Sequence, residues 1–179
     1  LGRRHDNGEI ELRVHPALLP KSHPLASVND VFNAVLVTGD AVGNVMFYGR
    51  GAGGDPTGSA VVGDLVAAAR NIRTKATGRV GPGKFAAGAY RNFPDIQTRF
   101  CVRVQVVDQP GTLAKIAAVF GEHGVSIDSL VQKHSDGATA EIFWVTKLTT
   151  EAAMAASLET FQHLDAVTEV SCVLRVEGE

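Results

Sequence analysis

The sequence has little of what metal sites, disulfide scaffolds and membrane proteins require. It contains two cysteines in 179 residues, with no CxxC pair, and its six histidines show no metal-ligand spacing. We therefore predict no metal site and no disulfide framework. No apolar run approaches the roughly 18 residues of a membrane span, and no signal-peptide pattern opens the chain. These absences predict a cytoplasmic protein of a reducing compartment, with no membrane partner.

The chain also lacks an excess of charge of either sign. Its formal net charge is −2, with 17 Lys and Arg against 19 Asp and Glu. Because nucleic acids and anionic membrane surfaces bind basic surfaces, neither partner is predicted. The hydrophobic content of 45% is enough to form the cores of one or two domains.

A cluster of glycines between an apolar strand and a helix organises the first half of the chain. Residues 45–48 predict a strand, and glycines follow at 49, 51, 53 and 54. Asp55 suits the N-cap of a helix over residues 55–73, and Pro56 suits its first position. The glycines let a ligand approach the backbone, and the helix start favours an anion. One broad apolar face of the helix is predicted to pack, formed by Val61, Val62, Leu65, Val66, Ala69 and Ile72.

The spacing Gly49-x-Gly51-x-x-Gly54 matches the dinucleotide-binding fingerprint literally. That fingerprint also needs a second parallel strand that ends in an acidic residue about 20 positions later. Position 74 is Thr, and a Gly-rich basic stretch follows it. A tight strand-to-helix turn without a phosphate is therefore the simpler interpretation of the pattern alone.

Residues 1–48 predict short strands around a proline-rich segment. Asp6-Asn7-Gly8 is a hairpin turn signal, and residues 9–15 alternate, with Ile10, Leu12 and Val14 on the predicted core face. Only five residues precede the turn, so we expect the partner strand to lie upstream of this chain. Further strands are predicted at residues 31–38 and 44–48, after a short helical turn at 25–28.

A Gly-rich stretch with scattered basic residues, 74–98, predicts a linker between two domains. A basic patch for phosphate is the alternative interpretation of this stretch, and a solvated linker is the simpler one. The predicted domains are therefore residues 1–73 and 99–179.

The second half has the regular pattern of a βαββαβ unit. Strands are predicted at residues 100–106, 125–133, 139–147 and 167–176, with helices at 111–123 and 150–164. Gly124 suits the left-handed position that ends the first helix. Cys101 is predicted on the outer face of the sheet, and Cys172 on the core face with Val170 and Leu174, which excludes a disulfide between them. The fold class is α+β, a partial sheet and helix followed by a ferredoxin-like domain.

The stretch GDAVGNVMFYGRGAGGDPTGSAVVGDL resembles the end of the catalytic domain of homoserine dehydrogenases, and residues 1–73 as a whole resemble its last part. The family reduces aspartate semialdehyde to homoserine with NAD or NADP. The resemblance implies that the family's acid/base lysine lies upstream of Leu1, so no catalytic residue is named here and the isolated chain is expected to be inactive. The residues that it places near the cofactor are Gly49, Gly51, Ala52, Gly53 and Thr57.

The stretch VVDQPGTLAKIAAVFGEHGVSIDSL resembles the ACT domain, an amino-acid-sensing module, over about residues 99–179. ACT domains pair side by side and bind a small amino acid between the first turn of one copy and the second strand of the other. The resemblance implies a homodimer or homotetramer, with L-threonine as the effector by analogy with the dehydrogenase family. The implied effector residues are Asp108, Gln109, Gly111, Thr112, Leu113, Val125, Ser126 and Ile127.

Three other hypotheses remain open from the sequence. The chain could be a purely regulatory amino-acid-binding module, in which residues 1–73 are structural. It could be a free-standing dinucleotide-binding protein built on the glycines at 49–54. Finally, the ACT unit could serve only for dimerisation and bind nothing.

Overall fold

The structure is a computed structural model that describes residues 1–76, 88–135 and 137–178. The chain divides into two compact units. The sheet unit comprises Leu1–Leu19 and Gly88–Glu179, and the hairpin unit comprises Pro20–Ala87. The first 19 residues therefore belong to the same compact unit as the ACT-like region. The domain boundaries at 73 and 98 remain a prediction, and two of the four basic residues of the predicted linker, Arg79 and Lys84, lie outside the described residues.

The sheet unit contains the predicted βαββαβ order, which confirms the ferredoxin-like fold. Its elements are β6 Gln97–Val107, α2 Thr112–Glu122, β7 Ile127–Ser135, β8 Thr139–Thr146, α3 Glu151–Phe161 and β10 Val167–Val176. Two short strands, β3 Ala17–Leu18 and β9 Thr149–Thr150, add to it. The main sheet has the order β3-β10-β6-β8-β7, in which β3 runs parallel to β10 and the other neighbours are antiparallel.

Alternation along the central strand β6 builds the core. Every second residue is buried, and Phe100, Val102, Val104 and Val106 are at most 1% exposed. Aromatic side chains from both helices complete this core: the Phe120 ring lies 5.7 Å from Trp144 and 5.0 Å from Phe161, edge to face in both cases. The sheet and its two helices thus share one apolar interior.

The helix ends follow the sequence signals. The Thr150 hydroxyl accepts a hydrogen bond from the Ala153 N–H at 3.1 Å, as expected of an N-cap. Gly124 has φ +70°, which confirms the left-handed residue predicted after α2. Thr150 therefore marks the start of α3, and Gly124 marks the end of α2.

The prediction that Cys172 faces the core is wrong. A register shift between Val170 and Cys172 in the β6–β10 ladder interrupts the alternation, so that Val173 instead pairs with Val102 of the core. Cys172 therefore lies on the same sheet face as Cys101. The two are free, half-buried thiols, and burial, with a smaller effect of Cys172, raises the pKa of Cys101.

The first hairpin also differs from its prediction. Strand β1 Gly2–Arg4 pairs antiparallel with β2 Ile10–Leu12, so the partner of β2 lies within this chain and not upstream of it. The face is inverted as well, because Glu11 and Arg13 are buried at 1% and 5% exposure while Leu12 and Val14 are exposed. The predicted core face of this strand is therefore wrong.

The hairpin unit consists of an antiparallel ribbon and one long helix. Strands β4 Phe32–Gly39 and β5 Gly43–Arg50 pair along their full length, and α1 covers Gly54–Thr74. A short 3-10 helix covers Pro24–Ser27, as predicted. No residue of α1 is buried, so its predicted packing face is uncovered in the described chain. The N-cap of α1 is Gly53, without a side-chain cap bond, which corrects the prediction for Asp55.

Candidate functional site

The turn between β6 and α2 has a backbone shape that depends on glycine. Gly111 is the N-cap residue of α2 and has φ +92°, in the left-handed region that other residues rarely adopt. The Thr112 hydroxyl donates to the Val107 carbonyl at 2.9 Å, and the Thr112 N–H donates to the Gln109 carbonyl at 3.2 Å. The first residue of the helix is therefore bonded back to the end of the strand.

A cavity of about 160 Å³ lies at this turn. It is below the roughly 300 Å³ at which pockets for drug-sized ligands begin, so it suits a molecule the size of an amino acid rather than a dinucleotide. Five predicted effector residues line it, namely Asp108, Gln109, Gly111, Thr112 and Leu113. The structure thus brings together the first group of predicted effector residues.

Four residues on the strands beside this turn also line the cavity and were not among the predicted site residues: Val106, Val107, Gln132 and Ile142. Gln132 comes from β7, which reaches the turn because it pairs with β8 in a register that places Gln132 opposite Ile142. The sequence pattern shows that both are strand residues. It does not give the register that places them beside residue 108.

The cavity offers groups of both signs. The N–H groups of the first helical turn have no partner within the helix and favour a negative charge, such as an α-carboxylate. The exposed Asp108 carboxylate is the matching acceptor for an α-ammonium group. This combination is complementary to the zwitterion of a free amino acid.

The second group of predicted effector residues lies elsewhere. Val125 is 4% exposed and Ile127 packs against the core, so their side chains support the sheet. Ser126 is exposed, and its carbonyl accepts a hydrogen bond from the Lys147 N–H at 2.8 Å. Within one chain, these residues do not line the cavity at Asp108.

Ser126 instead lines an open cleft at the start of β6 and β7. The cleft is also lined by Arg99, Asp128, Lys147 and Leu148. Arg99 forms an ion pair with Asp128 at 2.8 Å, and its Nε donates to the Thr146 carbonyl at 3.2 Å. Neither Arg99 nor Lys147 was among the predicted site residues, because neither belongs to the motif that indicated the site.

The glycine turn in the hairpin unit brings together the predicted cofactor residues Gly49, Gly51, Ala52, Gly53 and Thr57. The Gly51 N–H donates to the Val31 carbonyl at 2.9 Å, and a Cβ at Gly51 would lie 1.3 Å from the Asn33 Nδ2. Gly53 has φ +129°, and its carbonyl accepts from the Thr57 N–H at 3.1 Å. A side chain at either glycine would therefore disturb the turn.

This turn follows an antiparallel hairpin. Among the described strands, β4 and β5 pair only with each other, so the parallel strand that the dinucleotide fingerprint requires does not lie beside β5 there. Across the described parts of the chain, no three His, Cys, Asp or Glu side chains are grouped so that they could hold a metal ion. None of the helices in these parts is long and apolar enough to span a bilayer.

Comparison with known proteins separates the chain into the same two parts as the motifs. Residues 2–66 match the family model described as homoserine dehydrogenase, and residues 102–159 match the model described as ACT domain. The curated homoserine dehydrogenase of Mycobacterium tuberculosis (strain ATCC 25618 / H37Rv) is 45% identical over 176 residues, which cover 94% of this chain and 39% of that protein. The homoserine dehydrogenase of Synechocystis sp. is 43% identical and covers 96% of this chain and 41% of that protein.

A solved structure shows the same relationship along the whole chain. The crystal structure of a homoserine dehydrogenase from Thiobacillus denitrificans has a TM-score of 0.85 and 37% identity, covering 99% of this chain and 41% of that chain. The chain thus spans 39% to 41% of the length of these relatives.

Proposed function

We propose that this chain, which belongs to the homoserine dehydrogenase family and carries an ACT domain, is the part of an NAD(P)-dependent homoserine dehydrogenase through which an amino acid regulates the enzyme. The proposed reaction is the reduction of aspartate semialdehyde to homoserine. The proposed location is the cytoplasm, in keeping with two free cysteines.

The observation that carries this proposal is the cavity at the turn after β6. It is lined by the five effector residues that the ACT motif indicated. The cavity combines the start of α2 with the Asp108 carboxylate, and those groups match the two ends of a free amino acid. L-Threonine is the proposed effector, since it is an end product of the route that begins with homoserine.

The second half of the proposal is that the glycine turn contacts the cofactor. Its backbone lies open at the end of β5, and nothing lies within 4 Å of a Cβ built at Gly49 or Gly54, so a ligand can approach the main chain there. In the full-length enzyme, this turn lies beside the nicotinamide of NAD or NADP. The remaining cofactor contacts and the acid/base residues come from the rest of the enzyme, so the isolated chain is expected to show no turnover.

A chimaeric enzyme tests both halves. The chain replaces the matching segment of the Mycobacterium tuberculosis relative, and NADPH oxidation with aspartate semialdehyde is followed with and without L-threonine. We expect turnover that threonine inhibits, and Asp108→Ala should remove the inhibition while turnover remains. Glu159→Ala, which removes an exposed carboxylate on α3 away from the cavity, is the matched control and should leave both unchanged. Turnover that no amino acid alters would contradict the regulatory role.

A second candidate function is assembly without effector binding. The edge strand β7 exposes Leu130 and Val131 at 43% and 51%, and an exposed edge strand is a ready partner for a second copy. This candidate would be favoured if the chain is dimeric, binds no amino acid, and gives a chimaeric enzyme whose turnover is the same with and without Asp108→Ala.

A further inference from the structure

The first 19 residues, Leu1–Leu19, are attached to the ACT sheet without contributing to its core; we call them the strap. The buried and partly buried apolar residues of the described core cluster all lie between positions 100 and 173. Most large apolar side chains of the strap point away, with Leu12 at 61% and Val14 at 104% exposure, and only Ile10 and Leu19 are half-buried. Burial of apolar surface, which holds the rest of the unit together, therefore adds little to the attachment of the strap.

Backbone hydrogen bonds attach the strap at two places. Strand β3 pairs with the end of β10 over only two residues, and the Glu177 N–H donates to the Leu18 carbonyl at 3.0 Å. On the other side, the Ile10 N–H donates to the Ala89 carbonyl and the Arg91 N–H donates to the Ile10 carbonyl, both at 2.9 Å. These ladders are short for independent stability.

A buried ion network lies between the two places. Arg13 Nε lies 2.7 Å from Glu11 Oε1 in the strap, and Arg13 Nη2 lies 2.7 Å from Glu177 Oε1, just past β10. The Thr98 hydroxyl donates to the same Glu177 oxygen at 3.3 Å. The Glu11 and Arg13 side chains are each 1% exposed, and His5 Nε2 lies 2.9 Å from Glu11 Oε2. Among the described residues, Arg13 is thus the only cation that pairs with both Glu11 and Glu177.

The network is also incomplete. Arg13 Nη1 is buried and has no hydrogen-bond partner among the described residues. An unsatisfied buried donor carries a desolvation penalty that is relieved when water reaches it. The attached state is therefore held by few bonds and contains a group that gains from release.

We infer that the strap releases from the ACT sheet as a unit while the core stays folded, and that the Arg13–Glu177 pair holds it in place. The chain passes from the strap into the hairpin unit after Leu19. The attachment of the strap is thus a conformational switch located at the covalent connection between the regulatory sheet and the glycine-turn region.

Amide hydrogen exchange on the whole chain tests this inference. In Arg13→Gln, we expect exchange at Ile10, Leu18 and Glu177 to be at least about tenfold faster, while the β6 amides of Val102 and Val104 keep their rates. The matched control is Arg103→Gln, which removes the ion pair of Arg103 with Glu141 on the open face of the sheet, where Arg103 is 45% exposed. This control should change neither group of amides.

Two results would overturn the inference. One is unchanged exchange of the strap in Arg13→Gln; the other is acceleration of strap and β6 amides by the same factor, which would make the strap part of the core unit. If Arg13→Gln does not fold, Glu177→Gln takes its place, because it keeps the Arg13–Glu11 contact and removes only the negative charge that pairs Arg13 with the sheet. The same selective acceleration is expected for Glu177→Gln, and a strap that exchanges at the wild-type rate would refute the switch.

Discussion

Asp108 and Ser126 lie at opposite ends of the same sheet. Asp108 follows the last residue of β6, where Val107 pairs with Thr139 at the start of β8. Ser126 precedes β7, where Ile127 pairs with Thr146 at the end of β8. Since β8 is eight residues long, one chain cannot place both residues on one small ligand. A site that uses both must join two copies of the chain.

Mixing two variants tests this two-copy site. Asp108→Ala and Ser126→Ala should each weaken amino-acid binding, because each removes one side of every symmetric site. In a heterodimer of the two variants, one site is intact and the other carries both changes. An equal mixture should therefore recover about a quarter of the sites. Calorimetric titration of the mixture, after exchange of subunits, measures that recovery.

Two other results of the mixing experiment would contradict the two-copy site. If binding depends on Asp108 alone, Ser126→Ala binds normally, and the site belongs to a single chain. If the mixture recovers no binding although heterodimers form, the pairing of Asp108 with Ser126 across copies is wrong.

The turn at Gly111 should tolerate no side chain. Gly111→Ala forces φ +92° on a residue that avoids it, and we expect a loss of about 1–3 kcal/mol in the free energy of unfolding. The control is Gly121→Ala inside α2, where nothing lies within 4 Å of the added Cβ. It should stabilise the chain by about 0.5–1 kcal/mol. Urea unfolding of both variants measures the difference, and equal effects would contradict the role of the left-handed turn.

The buried Glu11 should make stability depend on pH. Burial alone raises the pKa of Glu11, but the hydrogen bond from His5 and the charge and hydrogen bond of Arg13 outweigh it, so the pKa lies below its usual value of 4.5. The stabilisation is thus present above pH 4.5 and lost as the pH falls through the folded-state pKa. In urea unfolding, the stability difference between wild type and Glu11→Gln should be larger at about pH 7 than at about pH 3. A pH-independent difference would contradict this account.

Two isoleucines on helices should differ strongly in their contribution to stability. Ile116 on α2 is fully buried, and Ile116→Ala should cost about 2–5 kcal/mol. Ile72 on α1 is 80% exposed, and Ile72→Ala should cost less than about 0.5 kcal/mol in this chain. The same chemical change is thus compared at a packed and an unpacked position. A large cost at Ile72 in urea unfolding would show that the face of α1 is covered in solution.

The ferredoxin-like half could be predicted from the sequence because its signals are local. Alternation along β6, the helical spacing around Ile116 and Phe120, and the cap at Thr150 each act within a few residues. The turn residues of the cavity were predicted from the resemblance of this stretch to the ACT domain. Gln132 was not, because its place depends on the register of two strands that are distant from the turn in sequence.

The errors arise where a tertiary contact overrides a local pattern. Alternation placed Cys172 in the core, and a bulge beside Val170 reversed it. Alternation also placed Leu12 inside, although Glu11 and Arg13 are buried there because each finds a charged partner. Hydrophobicity alone does not predict a strand whose buried face is an ion network.

A thermal melt with amino acids tests the central claim, that the turn at Asp108 senses an effector, most directly. L-Threonine at 100 times its Kd should stabilise the folded chain by about 2.7 kcal/mol, a visible shift in Tm. Serine, isoleucine, methionine and homoserine should shift it less, and Asp108→Ala should abolish the threonine shift. A folded, dimeric chain whose Tm no amino acid changes would contradict the claim and leave the ACT domain as an assembly device.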